Sequence, residues 1–287
     1  MNDVILSTIG KAQTALLVYS ALSAYGRRRS GELPGTWFIA ALAPLGREPQ
    51  SIRQTLFRMV REKELVSRRV GRVKLFRLSP YGQAAVDAGF EKFVSMPQEQ
   101  WNGDWTIVRY EFTSRDRIDR DRVRDLLETE GFAAMGRGLF VHPHDRTPRI
   151  VDALRETGRL DDVMFFRARR IGGETDSQLV RRLWDVNSLE RRYRAFLEKF
   201  APLIRRSPAT WKPAEAFAAR FAVVLAFLDV AWDDPDLPHA LLPADWSGKR
   251  AREVAATLYK RLLRGTIAHG DAILESVEGS KLLEAHR

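Results

Sequence analysis

"SIRQTLFRMVREKELVSRRVGRVKLFRLS", Ser51 to Ser79, sets nine Lys or Arg against two Glu in a segment whose apolar residues still recur at regular intervals. From Pro49 to Lys63, the residues Ile52, Leu56, Met59 and Val60 follow the i, i+4, i+7, i+8 spacing of a helix with one buried face. The opposite face carries Gln50, Ser51, Gln54, Arg58 and Arg61, with Arg53 at its edge. After Leu65 the period changes to two, and "VSRRVGRVKLFRLS" alternates around a tight Gly71 turn, as a two-stranded hairpin does. The hairpin presents Arg69, Arg72 and Lys74 beside the helix.

Two helices are expected upstream, one over about Lys11 to Arg27 and one from near Pro34 to "APLG". Three helices followed by a hairpin is the layout of a winged helix-turn-helix, whose third helix enters the DNA major groove while the wing lies on the backbone. Gln and Arg suit this task because they make paired hydrogen bonds to adenine and guanine edges. Wing cations displace counterions from phosphates and add affinity with little sequence information. A charge run is more often just a solvated face. Here, however, residues 1 to 82 hold fourteen basic against five acidic side chains, +9, and the other 205 residues hold 33 against 32, +1. A basic first unit on a nearly neutral remainder implies a polyanionic partner for the first unit alone.

A chain of 287 residues with 45 % hydrophobic content supports a sizeable core and two or three compact units. The absence of cysteine excludes disulfides and thiolate metal sites and fits a cytoplasmic location. The apolar run "AQTALLVYSALSAYG" is followed, not preceded, by its arginines, and is shorter than the ~20 residues of a membrane span. It is read as a buried helix, with no membrane partner.

"SMPQEQ" (95–100) and "GGETD" (172–176) are polar breaks that read as linkers. They divide the chain into 1–94, 101–172 and 177–287. Between them a strand "WTIVRYEF", a helix "RDRVRDLLETE", a strand pair in "GFAAMGRGLFV", a helix "RIVDALRETG" and a strand "VMFFRARRI" give the βαββαβ order of a ferredoxin-like domain. Beyond the second break the chain reads as helical, with Leu189, Tyr193, Phe196, Leu197 and Phe200 in helical register. "PAEAFAARFAVVLAFLDVAW" is apolar nearly all round and therefore buried, and a last helix runs from about Lys249 to Arg264. The fold class expected is α+β: a winged helix-turn-helix, a ferredoxin-like middle domain and a helical C-terminal domain.

Several stretches together resemble the PaaX family of phenylacetate-catabolism repressors. They are "SIRQTLFRMVREKELVSRRVGRVKLFRLSPYG", "WNGDWTIV", "LWDVNSLERRYRAFLEKFAPL" and, most distinctively, "FLDVAWDDPDLPHALLPADWSGKRAREVAATLYKRLL". The resemblance implies a cytoplasmic, homodimeric repressor on a palindromic double-stranded operator, released by an aromatic acyl-CoA thioester such as phenylacetyl-CoA. It places the DNA contacts at Ser51, Arg53, Gln54 and Arg58, with Arg69, Arg72 and Lys74 in the wing. The middle domain looks like the ferredoxin fold of small CRISPR-associated nucleases, although "YEFTSRD" stands where their first strand has a short apolar-Asp ending.

A CoA thioester needs cations for its phosphates and an apolar slot for its acyl group. Arg137, Arg167, Arg169 and Arg170 near the middle sheet, with Trp184 at the start of the next helix, are candidates, against the plainer reading as surface charge and packing. "VHPHD" gathers His142, His144 and Asp145, but a metal site wants a third strong ligand, so exposed imidazoles on a strand-end loop are expected. Asp116 alone is poor support for magnesium chemistry. No phosphate loop, nucleophile elbow or H-E-x-x-H is present. No catalytic residue, cofactor or metal is expected. A metal-dependent nucleic-acid enzyme built on the middle domain is the alternative class, and a scaffold whose basic face meets an acidic protein is a third.

Overall fold

In the computed structural model, residues 2–25, 31–94, 100–112 and 116–285 are described. The protein is of the α+β class, with two small antiparallel sheets. It divides into two compact units: one of residues 1–95, 195–231 and 250–287, the other of residues 96–194 and 232–249.

The first unit opens with α1 (Asn2–Lys11) and α2 (Thr14–Tyr25). The sequence predicted a single helix from Lys11. Its expected end at Arg27 lies outside the described residues, as do residues 95–99 of the first predicted linker. A two-residue strand β1 (Leu33–Pro34) precedes α3 (Gly35–Leu42), and α4 (Pro49–Arg61) follows. In α4, Pro49 takes the first turn, where a missing N–H costs nothing, and Ile52, Leu56 and Met59 are buried. Lys63 then turns left-handed at φ +60, and the N–H groups of Lys63 and Glu64 return to the carbonyls of Val60 (3.1 Å) and Met59 (2.8 Å). This Schellman closure stops the helix and sends the chain straight into the hairpin.

The hairpin is β2 (Leu65–Val70) and β3 (Val73–Leu78), with Val70 opposite Val73 across Gly71 at φ +56. With β1 it forms a sheet of order β1-β3-β2, Leu33 pairing with Phe76. Helix α5 (Pro80–Val94) follows. The later helices α9 (Val186–Phe200), α10 (Pro213–Ala231) and α11 (Ser247–Ala285) also contribute to this unit. α10 is buried nearly all round, as its uniformly apolar sequence requires. α11 runs 39 residues, well beyond the expected end at Arg264. Trp37 donates its indole N–H to the carbonyl of Gly270 (2.9 Å), and Tyr25 donates to that of Thr266.

In the second unit β4 (Trp105–Tyr110), α6 (Arg117–Thr129), β5 (Ala133–Gly136), β6 (Leu139–His142), α7 (Thr147–Glu156) and β7 (Val163–Ala168) follow in order, and α8 (Asp176–Leu183) comes next. The sheet order is β5-β6-β4-β7, antiparallel throughout. Val108, Tyr110, Phe140 and Val163 of the sheet meet Val123 and Leu127 of α6 and Ile150 and Leu154 of α7 in one core. Residues 172–174 form a bend inside this unit. Thr175 then caps α8 in a reciprocal box with Gln178.

Candidate nucleic-acid interface

Helix α4 and the hairpin carry the basic residues singled out in the sequence. Gln50, Ser51, Arg53, Gln54, Arg58 and Arg61 are all exposed along one side of α4, opposite the buried stripe. Arg69 and Arg72 are exposed and Lys74 is half-buried. Among the described residues, Arg53, Arg69 and Arg72 face no carboxylate within ion-pair distance. Arg58 is held by Glu62 one turn on (2.8 Å), an exposed pair worth only a few tenths of a kcal/mol and therefore readily exchanged for another anion. Arg68, pointing to the other hairpin face, grips Glu32 in a two-pronged contact of 2.8 and 2.5 Å. That contact holds the Glu32 carboxyl below its usual range and ties β2 to the segment before β1.

Strand register puts two of the three candidate hairpin cations on one face of the ladder. Arg69 stands directly opposite Lys74, two positions beyond Ser67 and Phe76, so both cations extend the face that Leu65 and the buried Phe76 turn inward. Two like charges opposite one another on a ladder destabilise a hairpin on their own account. A polyanion lying over them would offset that repulsion. The Lys74 ammonium lies 4.4 Å from the ring centroid of Phe57, a residue of α4, and 5.4 Å from that of Phe76. Phe57 was not among the candidates. Yet at 100° per residue it falls about 40° from both Arg53 and Arg61, on the polar side of the helix.

Models for three consecutive parts of one family cover most of the chain: the PaaX-like protein at residues 13–82, the PaaX protein central Cas2-like domain at 98–180 and the PaaX-like protein C-terminal domain at 184–272. The chain belongs to the PaaX family. It is similar to the transcriptional repressor PaaX of Escherichia coli (strain K12), 28 % identical over 246 residues, which span 84 % of this chain and 77 % of that protein. These two findings point to a non-enzymatic regulator. Among solved structures it is similar to the uncharacterized protein Rv0674 from Mycobacterium tuberculosis, with a TM-score of 0.62 at 22 % identity over 91 % of this chain and 99 % of that one. That likeness concerns the fold alone.

Within the region matched by the PaaX central domain, the remaining candidates separate. Asp116 lies 3.6 Å from Arg159, whose guanidinium also contacts Asp119 and Asp162, so an arginine occupies the centre of this carboxylate group. Among the described residues no three His, Cys, Asp or Glu side chains are grouped to hold a metal ion. The expectation of exposed imidazoles is corrected. His142 is fully buried and His144 largely so, because the ring nitrogens are absorbed by backbone: His142 Nε2 meets the Pro235 carbonyl (3.1 Å) and His144 Nε2 that of Asp236 (3.0 Å).

The five effector candidates do not converge on one site. Arg137 sits in the β5–β6 turn, at the Tyr110 end of β4, whereas Arg167 and Arg169 flank the residue that pairs with Trp105 at the other end. Arg167, Arg169 and Arg170 are each paired with a different acid, Asp145 (3.1 Å), Asp104 (2.6 Å) and Asp176 (3.4 Å). Trp184 donates to the carbonyl of Gly131 (3.0 Å) and stacks on Trp105, which is a packing role. It also lines an open groove of about 370 Å³ with Arg181 and Asn187.

Proposed function

We propose that the chain is a transcriptional repressor whose residues 1–94 act as a winged helix-turn-helix on double-stranded operator DNA. The observation that carries this is the exposed polar side of α4, with Gln50, Ser51, Arg53, Gln54, Arg58 and Arg61, next to a hairpin that bears Arg69, Arg72 and Lys74 and whose Lys74, opposite Arg69, touches Phe57 of that helix. Helix side chains would read base edges in the major groove, and the wing would lie on phosphates. The reading includes a ferredoxin-like middle domain, a helical C-terminal domain, a homodimer on two half-sites, and a cytoplasmic setting. Among the described residues no helix is long and apolar enough to cross a membrane. Release would come from a small-molecule effector of the aromatic acyl-CoA class, acting only through its difference in affinity for the two DNA-binding states.

Protection of a palindrome in a duplex pool, retained at ~0.2 M salt, tests the central claim. Arg58→Ala is expected to weaken specific binding by about 1–3 kcal/mol and to relax the preference at one base position. Lys74→Ala should instead weaken all sequences alike and lower the salt slope by roughly one unit. Equal titrations for wild type and both variants would refute the interface. A thermal-shift series with phenylacetyl-CoA, other acyl-CoAs and free aromatic acids tests the effector class, and a flat series across all of them removes it.

A further inference from the structure

We infer that Phe57 is a specificity-determining residue that receives the C5-methyl group of an operator thymine. The inference rests on the DNA-binding reading above. Phe57 is 57 % exposed. An isolated exposed aromatic decides nothing by itself, since soluble proteins carry many. Its position does decide something. Phe57 is a large apolar group among Gln50, Arg53, Gln54, Arg58 and Arg61, on the side of α4 that turns away from Ile52, Leu56 and Met59.

Its ring is also held in place. The Lys74 ammonium lies 4.4 Å from the centroid, which covers one face of the ring with a cation and links α4 to the wing. More than half of the residue stays exposed with that cation in place, on the polar side of α4. In a duplex groove it cannot stack on a base, because stacking requires a base drawn out of the helix. It gains nothing from a phosphate. The one apolar group displayed in the major groove is the thymine methyl, and a ring set between base-reading Gln and Arg side chains is placed to bury it.

The test uses the duplex selected by the full-length protein from a random-sequence pool, with each thymine replaced singly by uracil, which removes only the methyl group. At one or two positions per half-site, uracil is expected to weaken wild-type binding about four-fold, the effect of withdrawing one methyl-sized group from a buried contact. In Phe57→Ala these positions should become indifferent to the swap, while the salt slope stays that of the wild type. Phe57→Leu, which keeps an apolar side chain, should retain part of the discrimination. Melting temperatures near wild type would certify that both variants fold.

Specific binding with no uracil-sensitive thymine would overturn the inference and leave the repressor reading standing. Sensitivity that persists undiminished in Phe57→Ala would also overturn it. So would a lowered salt slope in that variant without loss of discrimination, because Phe57 would then serve only to seat Lys74. A protein that selects no duplex at all would remove both readings.

Discussion

Acidification from pH 7.5 to 4.5 is expected to lower the melting temperature on the order of 10 °C through His142, and His142→Gln should flatten that dependence. The side chain is fully buried between the rings of Phe132 (5.2 Å) and Trp184 (6.3 Å). Its Nε2–H donates to the Pro235 carbonyl (3.1 Å), and its Nδ1 accepts the backbone N–H of His144 (3.0 Å). The neutral ring with its proton on Nε2 satisfies both contacts, although the His144 carbonyl oxygen also lies 3.2 Å from Nδ1, and it is burial that sets the charged form at a disadvantage. Burial, and then the nearby Arg146 cation and His144, pull its pKa down to about 3. His144 is displaced in the same direction, mainly by burial, and Asp145 is held low by Thr147 and Arg167.

In the unfolded chain His142 would take up a proton near pH 6.5, whereas in the folded protein it resists until about pH 3. The unfolded state therefore binds more protons between those values. The stabilisation is complete above pH 6.5 and drains away as pH falls toward 3, reaching about 3 kcal/mol by pH 4.5. Gln keeps a donor for Pro235 and takes no proton. Thermal melts of both proteins across this range check the assignment, and parallel curves would dismiss His142 as the cause.

The same histidine marks a boundary of what the sequence could reveal. "VHPHD" showed two imidazoles near a strand end, but the Pro235 carbonyl that takes up His142 lies 93 residues further on, with no local trace. α1 escaped for a similar reason: "NDVILSTIGK" is short, and its packing partner is α10, some two hundred residues away. β1 is two residues long and exists only as a ladder partner of β3. The end of α11 was misplaced because Gly265 and Gly270 resemble breaks. A side-chain carbon on Gly270 would lie 2.0 Å from the Tyr25 hydroxyl, so that glycine serves close packing inside a continuing helix.

By contrast, α4 and its hairpin were legible because their information is local. The apolar period changes from helical to two within a few residues, a glycine marks the turn, and the buried stripe of α4 fixes which side faces out. Phe57 was overlooked because only the polar residues of the outward face were named, although its angular position places it among them. The arginines near the middle sheet were visible as charges, but their carboxylate partners Asp104, Asp145 and Asp176 could be matched to them only in three dimensions.

The closure that positions the β2–β3 hairpin can be broken with one methyl group. Ser79 receives the chain as β3 ends: its N–H donates to the Glu64 carbonyl (3.0 Å), its hydroxyl donates to the Lys63 carbonyl (2.6 Å), and that hydroxyl accepts the N–H of Gly82 (2.9 Å). These bonds pin the start of α5 to the point where α4 turns into β2. A Cβ on Gly82 would sit 2.1 Å from the Glu64 carbonyl oxygen and 3.3 Å from Leu78 Cδ2. The obstacle at 2.1 Å is backbone, and it cannot rotate aside. Gly82→Ala must therefore push α5 away from the hairpin, at a cost of about 3 kcal/mol and on the order of 10 °C in melting temperature. Because the hairpin would no longer be registered against α4, affinity for every duplex should fall together with selectivity. Gly10→Ala is the matched control: it is also a helical glycine, but nothing lies within 4 Å of its added carbon. It should leave DNA binding intact and raise stability by up to roughly 1 kcal/mol. A Gly82→Ala protein that melts and binds as wild type would mean that α5 does not set the hairpin's position on α4.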